Sequence, residues 1–338
     1  AQMQAQMQTQ TKSSRRKKQA MVVPESVVSH FEEYYHLIDE HNSVNHISNV
    51  GSYKVSSVED KLPYINSIQK VIDVIAQKNY DMIDQTLFTP EGYDVYQKLL
   101  KFGNAKLLLT NGVKLEEYIE VMKFNDIYFC RSIPMQFSFS NNKKFVENVI
   151  FEFNEDGKIE SLQFALEKAT VDEITSMPLY TEGAKMIIIN FLENYKTAFA
   201  LKRIDYLNSI FSEDALIITG RVVKTTNVEN QIGLRNPNHI VYNKQTKGEY
   251  IANLKRSFNN KEYVNLVFSN VNVSKMGRGD REVFCIEIKQ DYFSSNYGDT
   301  GYLLIVVDVN DYRHPIIHVR TWQPEPDPDF GLFGPGDF

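Results

Sequence analysis

Apolar residues recur every three to four positions over 24–40, 61–77, 183–200 and 247–258, the spacing of helices with one buried face. The stripe is Val28, Phe31, Tyr35 and Ile38 in the first, behind a Pro24-Glu25 start, and Ile65, Ile68, Val71, Ile72 and Ile75 in the second. It is Ile187, Phe191, Tyr195 and Phe199 in the third, and Tyr250, Leu254 and Phe258 in the last. Shorter helices are expected over 80–88 and 91–102. Alternating or fully apolar runs predict strands at 105–110, 126–133, 145–154, 159–166, 262–274, 281–293, 301–310 and 315–322. Asn-Glu-Asp-Gly-Lys at 154–158 predicts a hairpin turn. Residues 41–60 and 168–182 read as linkers, and 224–245 as a polar stretch.

The strand faces carry further information. On 281–293, Phe284, Ile286 and Ile288 oppose Cys285, Glu287, Lys289 and Asp291. On 315–322, His318, Arg320 and Trp322 oppose Ile317 and Val319. Such polar faces line a pocket mouth or simply face solvent. The run YLLIVVDV is apolar on both faces, so its outer face is expected to be covered by the other domain, a second copy or another protein.

The halves match one another. DIYFCRSIPMQFSF (126–139) lies against REVFCIEIKQDYF (281–293) with the cysteines in register, and KNYDMIDQTLF (78–88) against LKRIDYLNSIF (201–211). A duplicated α+β unit is the simplest account.

A long helix, a polar-Asp step, Leu-x-x-x-Phe, then acidic-acidic-Ala and a strand resembles the nuclear transport factor 2-like superfamily, which includes SnoaL-like proteins. The matching residues are Asp205, Leu207, Phe211, Asp214, Ala215 and Gly220, and more loosely Asp81, Ile83 and Phe88. The resemblance implies a curved sheet wrapped on helices, a cone with a pocket at its open end. Such a fold hosts enzymes and binding proteins alike, so it does not settle function. Members commonly dimerise through the sheet's face. On the residues alone, Asp205 and Asp81 are expected as helix caps, Leu207 and Phe211 as one inward helix face, and Asp214 as a turn residue.

Composition narrows the chemistry. The net charge of −6 argues against nucleic acid as a partner, although the basic run RRKK stands in the first twenty residues. No apolar run is long enough to span a membrane. Cys130 and Cys285 lack zinc-ligand spacing and are expected as inert buried thiols. His314 and His318 are four apart in strand-like context, too far apart to chelate, so no metal site and no cofactor are expected. Arg-Gly-Asp at 278–280 reads as a hairpin turn, and the Pro-rich, Phe-bearing end 323–338 as a flexible acidic tail that wraps back or docks a partner. No acid–base pair stands out.

The expected organisation is α+β: a basic tail (1–23), a helix and linker (24–60), a first cone-shaped domain (61–167), a linker (168–182), a second such domain (183–322) and the acidic tail (323–338). The function expected is non-enzymatic binding or scaffolding in an assembly of a bacterial envelope, with a periplasmic or secreted location. The alternatives are a SnoaL-like enzyme with one conical pocket, and a cytoplasmic location. Expected partners are another protein or a second copy, met through a sheet face or the tail. Candidate ligand-binding residues are Tyr195, Glu287, His318, Arg320 and Trp322. A buried carboxylate of raised pKa facing a pocket would favour the enzyme; pockets plugged by Phe, Tyr and Leu would favour binding.

Overall fold

The computed structural model describes residues 54–109, 114–140, 143–178, 180–224, 238–278 and 281–338. The basic tail, the helix expected over 24–40, most of the 224–245 stretch and the Gly-Asp of Arg-Gly-Asp lie outside the described residues. The protein is α+β. Contacts divide it into two compact units: one runs to Arg203 and adds Glu262–Asn265, and the other comprises Ile204–Lys261 and Leu266–Phe338.

The first unit has a six-stranded sheet: β1 (Val55–Ser57), β2 (Lys106–Leu107), β3 (Val121–Phe124), β4 (Ile127–Ser138), β5 (Lys144–Phe153) and β6 (Ile159–Phe164). The order is β1-β3-β4-β5-β6, with β2 also on β4, and these pairs are antiparallel. Helix α1 (Leu62–Ala76) buries Ile65, Ile68, Val71, Ile72 and Ile75, the predicted stripe. The expected 80–88 helix is instead two single 3-10 turns, Tyr80–Met82 and Gln85–Leu87. Asp81 is not a cap. It lies exposed and ion-pairs with Lys101, while Asp84 accepts the Thr86 N–H at 2.9 Å. Helix α2 (Pro90–Tyr96) runs on into a π-turn, and α3 (Leu115–Tyr118) is one turn long. The segment 168–182 holds a helix, α4 (Lys168–Thr175). Helix α5 (Glu182–Ala200) is buried on nearly every side and belongs to this unit.

Strand β6 is the end strand of its sheet, and such strands expose unpaired backbone groups. Here α5 closes it: Thr197 Oγ1 accepts the Phe164 N–H and Glu193 Oε1 the Leu166 N–H, each at 2.9 Å. At its other end Phe88 forms a parallel bridge to Ile159. The hairpin before β6 turns at Gly157, whose φ of +72° suits glycine, as the Asp-Gly pair predicted.

The second unit begins with α6 (Ile204–Ser209), followed by β7 (Phe211–Lys224), β8 (Asn238–Gln245), α7 (Lys247–Asn259), β9 (Val264–Lys275), β10 (Val283–Ser294), β11 (Gly298–Asp308) and β12 (Ile316–Gln323). Thr246 and Glu249 cap α7 reciprocally. The sheet order is β8-β7-β12-β11-β10-β9, with β12 and β7 parallel. Leu207 and Phe211 are both buried, yet Phe211 opens a strand instead of sharing a helix face with Leu207. Asp214 likewise stands within β7, exposed, instead of in a turn.

The two sheets share the order β3-β4-β5-β6 and β9-β10-β11-β12. Phe211 pairs in parallel with Ile317, as Phe88 does with Ile159. Counting ladder partners outward from these bridges aligns Leu162 with Arg320, Phe151 with Ile305 and Cys130 with Ile286. The cysteines are therefore one residue out of register. A slip of one turns a side chain to the opposite face. Cys130 joins the core under α1 and α2, whereas Cys285 joins a cluster with Phe333 and Phe338.

Candidate functional site

In the first unit Tyr96, Phe137, Phe151, Phe153 and Phe164 lie between sheet and helices and are at most 2% exposed. They belong to one cluster with the α1 stripe. In the second unit Phe284, Ile286, Ile305 and Leu254 are equally buried. Trp322 fills the sheet's helix side and requires glycine at 301, where a Cβ would meet its ring at 2.5 Å. Arg320 is buried with its guanidinium 4.9 Å from the Tyr250 ring, a cation–π contact.

The opposite face of the second sheet carries Ile218, Ile240, Tyr242, Val283, Cys285, Leu304, Val306 and Val319. The C-terminal segment covers it, so the cover predicted for the two-sided apolar strand comes from the chain's own end. That segment is a folded strap, not a flexible tail. Gln323 ties it down: Nε2 donates to Tyr242 Oη and to the Gly331 carbonyl, both at 3.0 Å, and Oε1 accepts the Phe333 N–H at 2.6 Å. Tyr242 Oη donates to Asp327 Oδ2 at 2.9 Å. Desolvation holds the Tyr242 hydroxyl well above the usual tyrosine range. Phe333 packs on Tyr242, Phe330 and Phe338 at centroid distances of 5.5, 5.1 and 5.9 Å.

A cleft of about 220 Å³ opens beside the strap. Its polar wall includes Asn272, Glu287, Lys289 and Thr321, and its apolar wall Leu304, Leu332 and Phe333. Asn272 Nδ2 donates to Glu287 Oε2 at 2.7 Å. Leu332 is 39% exposed, an open apolar edge at the rim.

The five predicted ligand-binding residues do not form one constellation. Glu287 lines the cleft. Arg320 and Trp322 face the helix side of the same sheet. His318 is half-buried at a bulge in β12, where desolvation pushes its imidazole down against the opposing pull of Asp308. Tyr195 is fully buried on α5 of the first unit, ringed by Phe191 and Phe199. His314 is exposed and bonds Asp311 at 2.8 Å. Both thiols are buried, and desolvation pushes each up to about 12, the state of inert cysteines. Among the described residues no cluster of metal-ligating side chains occurs.

Sequence reasoning missed the charged groups of the first unit. Lys196 is buried 2.8 Å from Glu147, whose other oxygen accepts from Asn265 at 2.9 Å. Arg131 pairs with Glu193 through both guanidinium nitrogens. Beside them, burial and then Glu193 push the Glu152 carboxyl up to about 7. The available signal was two charges, Glu193 and Lys196, set among the apolar residues of the second half of α5.

No family model matches the chain, and no curated protein does. Solved structures resemble one domain-sized part of it. Among them is nuclear transport factor 2 from Cryptosporidium parvum, 10% identical, covering 41% of this chain and 91% of that one, with a TM-score of 0.28. Naphthalene 1,2-dioxygenase with indole bound is 8% identical, covering 45% and 85%, with a TM-score of 0.33. Bd1075 of Bdellovibrio bacteriovorus is 12% identical with a TM-score of 0.31, and the match spans 42% of this chain and 41% of that one. These neighbours include enzymes and non-enzymes, and likeness at this level assigns no activity.

Proposed function

We propose that the chain is a non-enzymatic binding protein that meets its partner at the strap-side cleft of the second unit. The observation that carries this reading is the open, amphipathic cleft on the strap side of the second sheet, beside interior aromatic and aliphatic side chains that solvent does not reach. A catalytic cone needs an empty apolar pocket with convergent polar groups. A shallow cleft with an apolar rim and a mixed polar wall suits a protein surface.

We also propose that the two units are tandem nuclear transport factor 2-like domains. The common strand order and the matched parallel bridges support this. Assembly with another protein and a place in a bacterial envelope remain part of the proposal, and cell fractionation tests the location. One observation favours the second reading, a SnoaL-like enzyme: Glu152 sits near neutrality beside Arg131.

The test is native mass spectrometry of the full chain purified from its own source, wild type beside Leu332→Asp. A stoichiometric protein adduct that the variant loses supports binding at the cleft. An adduct of small-molecule mass retained by the variant supports the enzyme, and a bare monomer removes the binding reading.

A further inference from the structure

The strap-side cleft has a polar floor whose groups the protein itself leaves largely unused. Glu287 and Lys289 stand two apart on β10 and point to one face, about 7 Å apart along the strand. Glu287 is opposite Leu304 and Lys289 opposite Tyr302, and Leu304 is in turn opposite Thr321 of β12. All five line the cleft. The two charges do not pair with each other. Glu287 Oε2 accepts from Asn272 at 2.7 Å, and Oε1 turns toward Gly334 of the strap, where a Cβ would stand 3.7 Å away. Among the described residues Lys289 has no hydrogen-bond or ion-pair partner.

Thr321 is the second, independent observation. It is 1% exposed, yet its hydroxyl has no hydrogen-bond partner among the described residues. Its neighbours Arg320 and Trp322 face the helix side, so Thr321 faces the cleft. Buried hydroxyls need partners, and the cleft is the side from which one can come. Between the charges and this hydroxyl lie two strand spacings, about 10 Å, floored by Leu304 and walled by Leu332 and Phe333.

This arrangement selects a ligand. The cleft's volume of about 220 Å³ lies below the roughly 300–1,000 Å³ of sites for drug-sized molecules, so the occupant is small. A neutral sugar would leave both charges without a countercharge, and a single ion would leave one. A free α-amino acid carries both charges on one carbon. With a charge-assisted hydrogen bond of about 2.8 Å at each end, its head group spans the gap between Glu287 and Lys289.

We propose that the cleft floor binds a free α-amino acid whose side chain is a flat apolar body with a polar tip, as in tyrosine. The ammonium sits on Glu287 Oε1 and the carboxylate on Lys289. The ring lies over Leu304 against Leu332 and Phe333, and the tip bonds the Thr321 hydroxyl. This rests on the reading of the cleft as the binding site, and gives it a small ligand beneath the rim that the partner meets.

Calorimetric titration of the full chain tests it with L-tyrosine, tyramine, N-acetyltyrosine and L-phenylalanine. Tyrosine should bind one to one. Tyramine lacks the carboxylate, N-acetyltyrosine the ammonium and phenylalanine the tip, and each should bind roughly tenfold more weakly. Lys289→Ala should weaken tyrosine roughly tenfold and leave tyramine unchanged, and Thr321→Val should erase the preference for tyrosine over phenylalanine. No saturable binding of tyrosine, or equal binding of all four compounds, overturns the proposal, and the wild type alone decides this if a variant does not fold. A protein adduct lost in Leu332→Asp, beside no heat from tyrosine, sinks the amino-acid ligand and leaves the binding-protein reading standing.

Discussion

The two units solve one problem in two ways. Each ends its four-strand run with a strand that starts at a parallel bridge to a phenylalanine, Phe88 on Ile159 and Phe211 on Ile317. In the second unit the chain after that phenylalanine extends as β7 and pairs along β12, so backbone covers the edge. In the first unit Thr89 caps α2 with Pro90 at its first position, and the edge is closed by side chains of α5, Thr197 and Glu193. A strand satisfies edge donors with ladder hydrogen bonds. A helix must bring polar side chains into the interior to do the same, and those then need partners of their own. That accounts for the buried Glu193 and Thr197 of the first unit, whereas the buried charges of the second, such as Lys247, Glu282 and Arg320, serve other contacts. The bulge that follows each bridge carries Glu160 in one unit and His318 in the other.

The largest expected effect breaks the first solution. Lys196→Ala leaves Glu147 buried with only Asn265 beside it, and should cost about 3–5 kcal/mol by denaturant unfolding. Replacing Lys196 and Glu147 together with Met should recover most of this, because the loss lies in the unpaired charge. Next comes the second unit's cover. Phe333→Ala should cost about 3 kcal/mol and open the strap to chymotrypsin at Phe330 and Leu332, while Trp322, the sole tryptophan, reports any change beneath it. Gly301→Ala forces a methyl against the Trp322 ring and the Gln323 carbonyl, for about 1–3 kcal/mol of destabilisation by the same assay. The smallest effect tests the motif. Asp81→Ala and Asp205→Ala should leave the melting temperature unchanged, since both residues are exposed and neither caps a helix through a side-chain bond that the structure records.

Much of this architecture was legible in the chain. The stripe of α1, the eight strand positions and the Asp-Gly turn follow from periods of 3.6 and 2 and from glycine's tolerance of positive φ. The match between cysteines was misleading, because similar residues align in sequence without regard to the face they occupy. A bulge or a slip of one changes that face. Asp81 and Asp214 were misread for a related reason. A polar residue near an element's end fits a cap, a turn or a bare surface equally well until the backbone direction is known.

The candidate site was legible only in part. Glu287 was singled out and does line the cleft, but the cleft exists because Leu332 and Phe333 come back to it from the end of the chain. Arg131, Glu152 and Gln163 gave no signal, being single polar residues on strands whose burial depends on a distant helix.

The sequence by itself determined the α+β class, the long helices, most of the longer strands and the inertness of both thiols, because each rests on spacing or composition over a few neighbouring residues; the short strands β1 and β3, the strand β8 and the helix α4 fell in stretches without such a period. Only the tertiary structure decided which sheet face is covered, what covers it, and which charges are buried together. Those outcomes depend on contacts between segments tens to hundreds of residues apart, as between Tyr242 and Asp327 or Arg131 and Glu193, and no local period encodes them.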